Sequence, residues 1–260
     1  MTTRLISALA WYGPKTGPLR DLLVQVQGLV AAQAGAAFRP YTLEQVHATL
    51  IALDGVVEPG SGVVVNEAFG LNLGVRAEMD LPLVMATLAE RFRVPVGVRF
   101  GGFGPGTPVP FLSRGEHLSQ RSFSVQGNAL VLMGWPVASL SPSGAGAAPV
   151  DELRREVNKA GVLHRYHFGY EDVDNDLHLV VGHLMGDAAG RAVDAVRAVD
   201  AVRAWLAANP VEVAIGLDDV KVVASDSRTM APPLYVSPVP ADEAELLALM
   251  RPGAGDSPRG

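Results

Sequence analysis

The sequence predicts a mixed α+β fold. Runs with strand character alternate along the chain with apolar stripes at helical spacing. Some strand runs are joined by short turns, at Gly127-Asn128 and at Asp218-Asp219, which points to antiparallel pairing. With 48% apolar and 18% charged residues, a chain of 260 residues can bury a sizeable core, and intrinsic disorder of the whole is excluded.

Taken in order, Leu5–Trp11 is a short apolar run closed by Gly13 and Pro14 and predicts a buried strand. Pro18–Ala34 carries Leu19, Leu22, Leu23, Val26 and Leu29 at helical spacing, with Pro18 placed for a helix start. Arg39-Pro40-Tyr41 ends that helix, and Thr42–Gln45 has the spacing of a capping box. Val46–Leu53 predicts a strand, and residues 56–75 show no clear period. Asp80–Phe92 places Leu81, Val84, Met85, Leu88 and Phe92 on one helical stripe, and Val94–Phe100 predicts a strand. Gly101–Gly106 is a loop, and Ser122–Val137 a hairpin. Ser139–Pro149 is the most linker-like stretch. Asp151–Val162 predicts a helix, Leu177–Leu184 a strand and Ala188–Ala208 a helix with a seven-residue near-repeat. Strands at 211–217 and 220–225 and a helix at 241–250 complete a single domain over 1–250, with 251–260 expected to be a disordered tail.

The net charge of −6 argues against a protein that coats duplex DNA, while leaving room for a narrow cationic cleft. The absence of cysteine removes disulfides, thiol nucleophiles and cysteine-ligated zinc, and fits a reducing, cytoplasmic setting. No stretch approaches the apolar length of a membrane helix. The glycine run at 101–106 lacks the spacing of a dinucleotide fingerprint, and neither a P-loop nor a nucleophile elbow occurs. The run Asp172–Asp176 resembles the start of a calcium loop but has Leu177 where the turn needs glycine and His183 where the last ligand should be acidic. His164 and His167 are three residues apart without a carboxylate–histidine signature, so no metal site and no cofactor is expected, and the pair reads as a solvated helix end.

Two of the six histidines lie inside strand-like runs, in Val46-His47-Ala48-Thr49-Leu50-Ile51 and in Leu177-His178-Leu179-Val180-Val181-Gly182. Alternation puts His47 and Thr49 on one face and His178 and Val180 on one face, each histidine the polar member of an apolar strand. Such an imidazole must face a cleft or find a buried partner.

With these motifs in view, Leu5–Pro14, the following helix and Phe38–Leu50 resemble the opening of the two-histidine (2H) phosphoesterases, the superfamily of the LigT-like 2′,3′-cyclic phosphodiesterases or 2′-5′ RNA ligase-like proteins. Its members carry two His-x-Thr/Ser-hydrophobic motifs on strands of two pseudo-symmetric lobes. His47-Ala48-Thr49-Leu50 matches the first motif, and His178-Leu179-Val180-Val181 matches the second except that Val180 replaces the hydroxyl residue. The stretch between the motifs is also longer than is usual there, which insertions at 55–75 and 101–120 would explain.

The resemblance implies a bilobal fold of two pseudo-symmetric, antiparallel-rich sheets flanked by helices around a central cleft. It implies a metal-independent phosphodiesterase acting on a small nucleotide or RNA end with a 2′,3′-cyclic phosphate or 2′-5′ linkage. His47 and His178 would then be the general acid and base, and Thr49 a phosphate donor. Val180 cannot donate, so Arg39, Tyr166, Tyr170 or Arg165 would have to substitute. Two alternatives stay open: a catalytically decayed binder of nucleotides or RNA ends on the same fold, and an unrelated α+β protein whose histidines are structural.

Overall fold

The computed structural model describes residues 4–141, 147–164, 173–186 and 188–251. Ten strands form one antiparallel sheet, and two more form a separate ribbon. In chain order the elements are β1 (Leu5–Ala10), α1 (Gly17–Ala34), β2 (Phe38–Pro40), β3 (Ala48–Ala52), the ribbon β4 (Gly55–Val57) and β5 (Val64–Asn66), α2 (Glu67–Leu73) and α3 (Leu81–Arg91). They continue as β6 (Val96–Phe100), α4 (Leu118–Arg121), β7 (Phe123–Gln126), β8 (Ala129–Pro136), α5 (Val137–Leu140), α6 (Pro149–Lys159) and β9 (Leu177–Leu184). The chain closes with α7 (Ala188–Ala208), β10 (Val211–Ile215), β11 (Val220–Ser225), β12 (Tyr235–Pro238) and α8 (Glu243–Met250).

The main sheet runs β10-β6-β8-β9-β3-β1-β11-β12, with β2 added beside β9 and β7 beside β8. It divides into two four-strand halves, β3-β1-β11-β12 and β9-β8-β6-β10, which meet where Ala48 of β3 pairs with Leu179 of β9. The α+β class is therefore as the sequence predicts. The expectation of two separate sheets is corrected, because backbone pairing at Ala48 and Leu179 joins the halves into one sheet. The linker-like stretch after Ser139 separates no domains: β8 before it and β9 after it pair along most of their length.

One face of the sheet is the main core. Ile6, Ala8, Leu50, Leu132, Leu179, Val181 and Val222 point into it, against Leu22, Leu23, Val26 and Val30 of α1 and Val202 and Leu206 of α7. The buried positions of α1 repeat at three- and four-residue intervals, which is why this segment is a helix lying flat on the sheet. Residues 56–75, which lack a period, are the ribbon and the short α2, elements too brief for a period to emerge.

Among the described residues, the opposite face is covered only in part. Over the first half, Leu9 and Val223 pack with Met230 from the 226–234 loop. Over the second half, Val131, Met133 and Trp135 pack with Phe103 and Leu118 from the 101–122 segment. The join between β3 and β9 lies between these two covers. Among the described residues, no helix is long and apolar enough to cross a membrane.

Candidate functional site

The site is built where the two halves join. The turn at Thr42–Gln45, closed by a 3.0 Å bond from the Gln45 amide to the Thr42 carbonyl, delivers the chain to β3. His47 sits just before that strand, where the sequence predicts it within one. Its Nδ1 donates to the Gln45 carbonyl at 2.7 Å, which fixes the tautomer. Nε2 is left with its lone pair and has no hydrogen-bond partner among the described residues. The Tyr12 ring packs beside the imidazole with centroids 5.7 Å apart.

The antiparallel pairing of Ala48 with Leu179 sets the register. By that register Thr49 lies beside His178 and His47 beside Val180, all four on the partly covered face. On the second half, Met133 pairs with His178 and Val131 with Val180.

Each histidine strand carries a β-bulge. On β3 the partners of Leu9 and Ala8 are Thr49 and Ile51, so Leu50 is the extra residue. On β9 the partners of Val131 and Leu130 are Val180 and Gly182, so Val181 is extra. Both extra residues stand three positions after the histidine. Bulges of this kind cluster next to active sites, where they re-aim side chains. The second bulge has a corollary: it brings His183 onto the face of His178, where uninterrupted alternation would put it on the other. Gly182 is required there, because a Cβ at that position would lie 2.5 Å from the Arg39 carbonyl of β2.

From the core side, a single arginine ties both histidine strands together. Arg154 of α6 is 3% exposed. Its Nε donates to the bulged Leu50 carbonyl at 3.1 Å and its Nη2 to the Thr49 carbonyl at 3.2 Å. Its Nη1 donates to the Asp174 carbonyl at 2.7 Å, just before β9, and pairs with the Asp174 carboxylate at 3.1 Å. Next to β9, Asp176 accepts from Trp135 Nε1 at 2.7 Å, from Ser113 at 2.8 and 2.9 Å, and from Arg121 at 3.1 Å. One of its oxygens lies 3.9 Å from His178 Nε2, beyond hydrogen-bond range but close enough to act on its charge.

Burial pushes the His47 imidazole down to about 4, aided by nearby Lys15 and opposed by the bond to Gln45. Burial likewise pushes His178 down to about 4, against the pull of Asp176 and Asp174 and with the help of Arg154 and Arg121. Burial alone would raise Asp176, but His178, Ser113, Trp135 and Arg121 hold its carboxyl below the usual range, so it is ionised. At neutral pH both imidazoles are neutral, His178 beside a carboxylate that is also paired with Arg121.

A cavity of about 100 Å³ opens beside His47, lined by Ser7, His47, Thr49, His164, Arg228 and Met230 among others. His178 stands outside this lining, across the β3–β9 pairing. The expectation that His164 lies at a solvated helix end is corrected: it is 3% exposed and turned to the cavity that His47 lines. His167, Tyr166, Tyr170 and Arg165 lie outside the described residues. Arg39 is exposed on β2, paired with His183 in backbone register, and does not line the cavity. Val180 packs against the apolar cluster of Phe103, Met133 and Trp135. No group of three or more potential metal ligands occurs among the described residues.

The bulges, Arg154, Arg228 and the Asp176 network are absent from the sequence reading. The one signal that touched them was the acidic run ending at Asp176, of which Asp174 and Asp176 serve arginines and a tryptophan. No protein-family model and no curated protein matches the chain.

Proposed function

We propose that this protein is a metal-independent phosphodiesterase that opens a 2′,3′-cyclic phosphate or cleaves a 2′-5′ linkage on a small nucleotide or RNA end. The observation that carries the reading is the Ala48–Leu179 pairing, which by register sets His47, Thr49, His178 and Val180 on one face of the sheet. His47, with Nδ1 tied to a carbonyl, presents a basic Nε2 to take a proton from water. His178, beside Asp176, is the ring better placed to carry a proton to the leaving oxygen, since the carboxylate stabilises its charged form. An anionic substrate in contact with either ring would lift it from about 4 toward working pH. Thr49 supplies a hydroxyl to the phosphate. A cytoplasmic location accords with the reading.

The second reading, a decayed binder on the same fold, draws support from Val180, whose side chain is spent on apolar packing. Hydrolysis of a panel of 2′,3′-cyclic nucleotides and 2′-5′ dinucleotides, without metal and near pH ~6.5, decides between them. The expected outcome is turnover by wild type and a loss of at least about 10²-fold in kcat for both His47→Ala and His178→Ala. Binding without turnover supports the decayed module, and equal activity in all three proteins contradicts the histidine mechanism.

A further inference from the structure

The two halves of the sheet mirror one another at the backbone, yet their partly covered faces differ in chemistry. Around Val180 the face is filled by Val131, Met133, Trp135 and the covering Phe103 and Leu118. Around Thr49 it is a mixed cavity, in which two hydroxyls, two imidazoles and one guanidinium join Leu5, Ala52 and Met230, with no carboxylate among its described lining. The hydroxyls of Ser7 and Thr49 and the guanidinium of Arg228 make no hydrogen bond or ion pair among the described residues. Three donor groups without a partner among the described residues line one small space, as a receptor for an acceptor-rich, negatively charged group requires.

We propose that the cavity is a phosphoryl-binding site displaced to the first half of the sheet, with Arg228, Ser7 and Thr49 as its donors, so that Arg228 replaces the contact that Val180 cannot make. This inference rests on the phosphodiesterase reading for its meaning but not for its test. The phosphate lies against β1 and β3 with His47 flanking it, while His178, outside the cavity lining, stands on the adjacent strand. The site accepts a single tetrahedral phosphate: about 100 Å³ holds one such group, given that ~10–15 Å³ of such space holds a water. The remainder of the substrate must therefore lie outside the cavity. Arg228 is exposed on the loop that covers the first half, so its replacement leaves the core untouched.

The probe is inorganic phosphate, titrated by calorimetry against wild type, Arg228→Gln, Ser7→Ala and Val180→Thr, with cyclic-nucleotide hydrolysis measured on the same proteins. The inference predicts saturable phosphate binding, weakened about tenfold by Arg228→Gln and measurably by Ser7→Ala, and unchanged by Val180→Thr. Absence of saturable binding overturns it, as does tighter binding in Val180→Thr with no effect of Arg228→Gln. Arg228-dependent phosphate binding without turnover of any diester upholds this site and removes the hydrolase reading. Turnover unaffected by Arg228→Gln upholds the hydrolase and removes this site.

Discussion

Position 47 joins two kinds of information that differ in how far the sequence exposes them. That His47 and Thr49 share a face follows from the two-residue period of a strand, and both line one cavity. That Nδ1 is held by the Gln45 carbonyl depends on a turn whose closing bonds no pattern specifies. His164 and Arg228 were illegible because each lies in a loop, where no period assigns a face. Burial of the imidazoles makes a prediction at this scale. Both rings are at about 4 when folded, under the influence of Lys15 for His47 and of Asp176, Asp174, Arg154 and Arg121 for His178. The unfolded chain, with histidines near ~6.5, therefore binds more protons between those values. Stability is full above about 6.5 and falls as pH drops toward 4, by at most about 1.4 kcal/mol per pH unit for each histidine. His178, which is 32% exposed, should contribute less than that ceiling. Urea unfolding at a series of pH values should show this slope in wild type and a shallower one in His47→Gln. A stability flat over that range, or rising toward acid, would contradict the burial of these rings as neutral groups.

At the scale of elements, the strands and helices with a clear period were readable. β9 at Leu177–Leu184 and α7 at Ala188–Ala208 fall where the sequence places them. The bulges at Leu50 and Val181 were not readable, since an extra residue leaves the apolar pattern of a buried strand unbroken. Arg154 was hidden for a related reason: on a helix with charged neighbours, a buried arginine looks like a solvated one. Its bonds to Thr49 and Leu50 satisfy carbonyls next to a bulge, where the ladder is locally interrupted. Removing it takes a donor from those carbonyls and leaves the buried Asp174 carboxylate with Arg114 as its remaining arginine. Arg154→Ala should cost about 3–5 kcal/mol, as for a broken buried pair, with Arg154→Lys intermediate because it keeps the charge and loses the planar fork. Denaturant titration checks this, and an Arg154→Ala protein as stable as wild type would show that the two histidine strands need no such tie.

At the scale of the whole molecule, the chain builds two similar half-sheets, bulges each at the position three residues beyond its histidine, and then covers them unequally. The 101–122 segment closes the second half with an apolar cluster, and the 226–234 loop leaves a mixed cavity on the first. Composition and element order disclosed the α+β class. The merging of the halves into one sheet was beyond them, because it rests on a single backbone pairing between residues far apart in sequence. The central claim is that His47 and His178 serve one phosphate. The most direct measurement is a titration with a nucleoside 2′-monophosphate, followed by the imidazole ¹⁵N signals of both rings. Both signals should move saturably with one common dissociation constant, and His47→Ala should weaken the response of His178. Movement of one ring alone, or two unrelated constants, would contradict it.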